Sequence, residues 1–183
     1  LVAIVATIEQ SLRYGSPVKI YIDEDGDWYN CRREVTYVSP ELNVTSWART
    51  QDVVRQLWCF GYELQVGDTV IDVGAGIGDE VVALSRLVGE KGGVIAVEAH
   101  PGIFRCLQKT VAANNLGNVI CLNIAVSDED GELEISDVDN LLSHSIVTGA
   151  GSLRVSSRVF DDVLMETDVA NIDLIKMNIE GAE

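Results

Sequence analysis

Basic residues are scarce in this chain. Thirteen lysines and arginines face 29 aspartates and glutamates, the net charge is −16, and the lysines are Lys19, Lys91, Lys109 and Lys176 alone. The longest basic run is Arg32-Arg33. With no patch to neutralise phosphates, neither nucleic acid nor an anionic membrane is expected as a partner. The same balance suits a salt-adapted protein as well as an ordinary acidic enzyme. No apolar run approaches the about 20 residues of a membrane-spanning helix. The opening Leu1-Val-Ala-Ile-Val-Ala-Thr-Ile8 is apolar but short, with no basic flank or cleavage signal, and is not read as a signal peptide. Cysteines stand at Cys31, Cys59, Cys106 and Cys121, without a C-x-x-C pair. Cys106 and Cys121 fall on apolar faces and read as core thiols, so a reducing cytoplasm is the expected compartment. No cluster of His, Cys and Asp has ligand spacing, so no metal is expected. The absence of a G-x-S-x-G elbow argues against a serine hydrolase.

What the chain does have is a strand running into glycines. In Thr69-Val-Ile-Asp-Val-Gly-Ala-Gly-Ile-Gly-Asp79, apolar residues surround Asp72, and Gly74, Gly76 and Gly78 follow at every second position. This pattern reads as a buried parallel strand ending in a tight turn. Val81, Val82, Leu84, Leu87 and Val88 then recur at helical spacing, so the glycines lie between a strand and a helix. Glycine lets the backbone turn sharply there and lets a ligand approach without a Cβ in the way. Glu98 ends a second apolar strand, Gly93-Val-Ile-Ala-Val-Glu98, where an acid can accept hydrogen bonds from ribose hydroxyls. The ligand edge therefore suits a nucleoside. The spacing is G-x-G-x-G, with Asp79 where a dinucleotide fingerprint has its third glycine. An acid there opposes a pyrophosphate and tolerates a sulfonium, and Asp72 fits the same view. A nicotinamide-dependent oxidoreductase and a non-catalytic cofactor-binding module stay open beside S-adenosylmethionine chemistry.

The 183 residues, 47% hydrophobic, suit one globular core. Residues 1–46 read as an appendage covering a sheet edge or shaping a substrate entrance. It has a short helix over Leu1 to Arg13, then a hairpin of Lys19–Ile22 and Trp28–Cys31 about Asp25-Gly26, then a strand over Val35–Val38. Its aromatics Tyr21, Trp28, Tyr29 and Tyr37 read as packing. From Trp47 a helix is expected, with Val54, Leu57 and Trp58 on one face. Pro101 opens another helix, whose stripe is Ile103, Phe104, Leu107 and Val111. Val119–Leu122 and Ile172–Met177 read as further strands. Glu132–Ile135 suggests a returning hairpin, residues 137–158 a loop, and Phe160–Leu164 a helix start. Strands alternating with helices imply a parallel sheet with helices on both faces and a site at its carboxyl edge. The strand after Ile172 should lie beside that of Asp72. The chain opens without Met and closes at Glu183 just after a strand-like run, so a fragment lacking its C-terminal strands is expected.

At this level the chain resembles the FkbM family of S-adenosylmethionine-dependent methyltransferases. The residues that carry the resemblance are Ile71-Asp-Val-Gly-Ala-Gly-Ile-Gly78, Val97-Glu-Ala-His-Pro101, Asn123-Ile-Ala-Val-Ser-Asp128 with Gly131, Phe160-Asp-Asp162 and, above all, Asp173-Leu-Ile-Lys-Met-Asn-Ile-Glu-Gly-Ala-Glu183. It covers residues 47–183, which implies a Rossmann-like class I methyltransferase domain there. The chain departs from the family at Asn178, where an Asp is usual, and at Ala99-His100-Pro101, where Pro-Asn-Pro is usual.

The resemblance implies S-adenosylmethionine as cofactor and a hydroxyl of a small molecule, sugar or natural product as methyl acceptor. It implies that the glycine loop, Gly74, Ala75, Gly76 and Gly78, holds the methionine part of the cofactor, and Asp72 is counted with these as cofactor-binding. Glu98 and Ala99 would meet the ribose, and Asn123, Ile124 and Ala125 would border the adenine. Asn178 would orient a hydroxyl or the cofactor's ammonium. Glu180 leads the candidates for the base, ahead of His100, with Glu183 and His144 behind. Three of these have structural alternatives: Asn123 as a strand-end cap, His100 as a helix start, and Glu180 as a carboxylate capping nearby backbone.

Overall fold

The computed structural model describes residues 2–42, 47–136, 152–167, 169 and 171–179. Its central strand, β4 (Thr69–Val73), is buried on both faces, with Val70, Ile71 and Val73 apolar and Asp72 buried among them. Val70 packs against Val81, Leu84 and Val88 of α3 (Asp79–Val88) and Leu107 of α4 (Pro101–Ala113). Ile71 and Val73 face the other way, towards Phe160 and Leu164 of α5 (Phe160–Glu166). Around β4 lie β5 (Gly93–Val97), β6 (Val119–Leu122) and β10 (Leu174–Met177), all parallel, in the order β10-β4-β5-β6. The chain leaves β4 for β5 on one side and returns as β10 on the other. That reversal puts a crevice at the carboxyl end of β4.

The appendage has its own sheet. Helix α1 (Val2–Tyr14) precedes β1 (Val18–Ile22), β2 (Trp28–Arg32) and β3 (Val35–Ser39), an antiparallel meander. Side chains from two helices close both of its edges. Along β1, the hydroxyls of Ser11 and Thr7 accept from Val18 N (3.0 Å) and Ile20 N (2.9 Å). Along β3, Thr110 Oγ1 accepts from Val38 N (3.0 Å) and Asn114 Oδ1 from Thr36 N (3.0 Å). An edge whose donors are taken offers no template for another strand.

The appendage docks on α3, α4 and Ile77 of the glycine turn; of the two placements expected from the sequence, this is not the cover on an edge of the main sheet. Val38 packs with Ile77, Ile103 and Cys106, and Val35 and Tyr37 pack with Val82. The β1–β2 turn also carries the one acidic group with ligand-like spacing among the described residues, Asp23, Asp25 and Asp27. Lys109 Nζ sits on all three, at 2.6, 2.7 and 2.6 Å, and Arg105 makes two bonds to Asp27.

Two further expectations change. The stretch 137–158 is not a loop throughout, because Ser152–Val159 forms β9. Its serines mask a period of two, in which Val155 and Ser157 turn inward while Arg154 and Ser156 face out. β9 runs parallel to β7 (Ala125–Ser127) and antiparallel to β8 (Gly131–Ser136). It therefore separates the two strands that a simple hairpin would have joined. Helix α2 (Trp47–Val53) continues as a π-helical turn, Val54–Trp58, whose extra residue per turn shifts the helical phase, and Leu57 is 61% exposed. Among the described residues, no helix is long and apolar enough to cross a membrane.

Candidate active site

The three glycines after β4 do different jobs. All have positive φ, at 77°, 57° and 84° for Gly74, Gly76 and Gly78. A Cβ on Gly74 would strike the carbonyl of Asn178, and one on Gly78 would meet Leu107 Cδ1 at 2.6 Å. Those two are glycine because β10 and α4 pack against them. A Cβ on Gly76 would meet nothing within 4 Å. Gly76 is the open face of the turn, where a ligand can lie against the backbone.

Hydrogen bonds from β5 hold the turn in place. Val97 O accepts from Gly74 N (2.9 Å) and Ala75 N (3.0 Å). Glu98 Oε2 accepts from Gly76 N (2.9 Å), while its Oε1 accepts from His100 N (2.8 Å). Burial pushes the Glu98 carboxyl up, and these two backbone donors pull it back. A carboxylate has about four acceptor positions, so each oxygen keeps one for a ligand.

His100 starts a helix. Its Nδ1 accepts from Gly102 N (3.2 Å) and Ile103 N (3.4 Å), capping α4. A neutral imidazole that accepts at Nδ1 carries its proton on Nε2. With Nδ1 engaged by the first turn of α4, the geometry favours the helix-start reading of His100 over the base reading. Asn123 also caps, its Nδ2 donating to Glu98 O (2.8 Å) and Ala99 O (3.0 Å). What it can offer a ligand is its Oδ1. Ala99 and Ala125 pack with Ile135 and Val155, and Ile124 packs under the sheet with Ile71 and Val73. Their side chains are structural, which leaves backbone groups for any contact with a cofactor.

Asp72 does not face the ligand edge, and its assignment as a cofactor contact is corrected. It is fully buried, with Oδ1 2.7 Å from Lys176 Nζ. The same ammonium lies 3.1 Å from Glu80 Oε2, and Trp58 Nε1 donates to the other oxygen of Glu80 at 2.7 Å. Burial alone would lower Lys176, but the two carboxylates outweigh it and hold the ammonium charged. Asp79, next in the chain after Gly78, is pushed up to about 6, first by burial and then by Glu80 and Asp72. Asn178 N donates to Val73 O (3.0 Å), and its side chain is exposed at the end of β10. Glu180, Glu183 and His144 lie outside the described residues. Lys176 carried no role in the sequence reading, although a lysine inside an apolar strand was its signal.

The family model described as "Methyltransferase FkbM domain" matches residues 72–183, a span running from Asp72 of β4 through the glycine turn and β10. The chain belongs to the FkbM methyltransferase family. The family's methyl donor is S-adenosylmethionine. Among curated proteins, the protein-L-isoaspartate O-methyltransferase of Methanococcus maripaludis is 33% identical over 63 residues, covering 34% of this chain and 30% of that protein. Among solved structures, a SAM-dependent methyltransferase from Aquifex aeolicus is 28% identical with a TM-score of 0.35, covering 44% of this chain and 47% of that one. Fibrillarin of Aeropyrum pernix, in complex with natively bound S-adenosyl-L-methionine, is 19% identical with a TM-score of 0.37, covering 58% and 51%. The chain thus spans 30% and 47% of the first two relatives' own lengths. In this FkbM protein the family match begins at Asp72, so α1, the three-stranded sheet and α2 all lie outside it.

Proposed function

We propose that this FkbM protein is an S-adenosylmethionine-dependent O-methyltransferase acting on a hydroxyl of a small molecule, a sugar or a natural product. The observation that carries the reading is the open face of Gly76, with the Glu98 carboxylate bonded to its N–H at the carboxyl edge of a parallel sheet. Residues 47–183 form the methyltransferase unit in this reading, and residues 1–46 are its appendage. The cofactor supplies a methyl group made electrophilic by a sulfonium. The protein's part is to bind, orient and deprotonate. Gly74, Ala75, Gly76 and Gly78 present their backbone to the methionine portion. The remaining acceptor positions of Glu98 receive the ribose hydroxyls, with charge-assisted bonds worth about 1.5–3 kcal/mol each. Asp79 and Glu80 favour a cation over a pyrophosphate, which speaks against the nicotinamide alternative. Asn178 can orient the acceptor through its amide but, being neutral, cannot take its proton.

Glu180, two residues beyond Asn178, would take that proton from the acceptor hydroxyl, and the bound donor would supply the methyl group, giving a methyl ether and a neutral thioether. The mass of the work is alignment of oxygen with methyl carbon, so the base need not be strong. The acidic surface, at −16, speaks against nucleic acid and anionic membrane as partners. Free thiols at Cys31, Cys59, Cys106 and Cys121 suit a cytoplasmic setting. The experiment is transfer of a radiolabelled methyl group from the donor to a panel of hydroxyl compounds, followed by single-turnover kinetics of Glu180→Gln. Turnover should fall by roughly 10²-fold or more with cofactor affinity within about twofold. Undiminished turnover together with lowered stability would make Glu180 a structural cap.

A further inference from the structure

Strand β10 carries a lysine between apolar neighbours, Leu174-Ile-Lys-Met177. Lys176 is 4% exposed, and its register partner on β4 is Asp72. Its ammonium is held on several sides. Asp72 Oδ1 lies at 2.7 Å and Glu80 Oε2 at 3.1 Å, with the Trp58 ring centroid at 5.1 Å. Nζ also donates to the carbonyl oxygen of Gly74 at 3.3 Å. A buried ion pair is seldom needed for stability, since an apolar pair of similar volume does as well or better. What an apolar pair cannot do is hold a carbonyl.

The glycine turn needs holding on that side. From β5 it is fixed by Val97 O and the Glu98 carboxylate, which take the N–H groups of Gly74, Ala75 and Gly76. From β10 it meets the Asn178 carbonyl, packed against Gly74, and the Lys176 ammonium. We propose that Lys176 is a positioning residue for the cofactor turn. Its ammonium, clamped by Asp72 on β4 and Glu80 on α3, grips the Gly74 carbonyl and so sets the open face at Gly76. One group then ties β4, β10, the turn and the first turn of α3 into a single unit. The inference rests on the reading of Gly76 as the cofactor face.

The test compares wild type with the double variant Asp72→Val/Lys176→Met, which replaces the buried pair by an apolar one and leaves the less buried Glu80 with its bond from Trp58 Nε1. Calorimetry reads the affinity for S-adenosylhomocysteine, thermal unfolding reads stability, and amide hydrogen exchange reads Gly74 to Gly78 without cofactor. The double variant should unfold near the wild-type temperature, bind at least tenfold more weakly, and exchange faster at the turn than in β4 or β5. Affinity within threefold of wild type, with unchanged exchange, would make the pair structural and overturn the inference while leaving the cofactor reading intact. A wild-type protein that does not bind would overturn both. Glu80→Gln covers the case of a double variant that does not fold, because it keeps the buried Asp72 pair and removes one side of the clamp. A three- to fivefold loss of affinity with faster exchange at the turn supports the inference, and no change in either contradicts it.

Discussion

Asp79 opens helix α3 beside two other acids. A helix N-terminus favours a carboxylate, but burial and the charges of Glu80 and Asp72 oppose it, and its pKa rises to about 6 from an ordinary 3.8. The sign of the consequence follows from proton counting. Between those two values the folded protein holds a proton that the unfolded chain has released, so stability falls as pH rises. The penalty is complete above about pH 6 and disappears as the pH falls towards 4. Wild type should therefore gain thermal stability on acidification from pH 7 to pH 5. Asp79→Asn should be the more stable protein at pH 7 and should lose most of that gain. Glu98 and Asp72, whose carboxyls burial also raises, contribute to what remains. Thermal unfolding of both proteins across the interval checks this, and parallel profiles would show that Asp79 is ionised freely in the fold. Only part of this was legible in the sequence. Asp79 stood out by its place after Gly78, and Glu80 is its neighbour in the chain, but its proximity to the buried Asp72 depends on how α3 leaves the turn.

Helix α4 joins the appendage to the methyltransferase core. It does so by two side-chain pairs spaced four apart, which share a face on a helix. Arg105 and Lys109 reach the carboxylate of Asp27. Thr110 and Asn114 bond the backbone of β3. Ile103, Cys106 and Leu107 turn to the interior. Its apolar stripe was readable from spacing, whereas the polar face was not. Threonine and asparagine that satisfy a distant strand edge look like any solvated residues until the strand is in place. Asp27 is 1% exposed, and its bonds to Arg105, with Lys109 beside it, hold its carboxyl down at about 2. The stability it contributes is thus present above an ordinary pKa near 3.8 and is lost as the pH falls towards 2. Asp27→Ala leaves Lys109 with Asp23 and Asp25 but strips Arg105 of its partner, and should cost about 2–4 kcal/mol in chemical denaturation. A loss under about 0.5 kcal/mol would mean that the bonds of β3 to Thr110 and Asn114 and the packing of Val35, Tyr37 and Val38 hold the appendage without Asp27.

At the scale of the whole molecule, strand, glycine turn, helix, strand and acid were legible because each is a local pattern with one meaning. The neighbourhood of β10 and β4 followed from the order of elements. What was hidden depends on register and distance: the Asp72–Lys176 pair, the insertion of β9 between β7 and β8, and the seat of the appendage against α3, α4 and Ile77. The partners of Asp72 and of His100 Nδ1 were hidden for the same reason, since they lie in another segment or in backbone groups. The central claim is that the open face at Gly76 receives S-adenosylmethionine. It is tested most directly by calorimetric titration of S-adenosylhomocysteine and of NAD into wild type and Gly76→Val. Wild type should bind S-adenosylhomocysteine and not NAD, and Gly76→Val, with a side chain in the open space and at a φ of 57°, should bind neither while keeping the wild-type fold by circular dichroism. Unchanged affinity in Gly76→Val, or preference of wild type for NAD, would contradict the account.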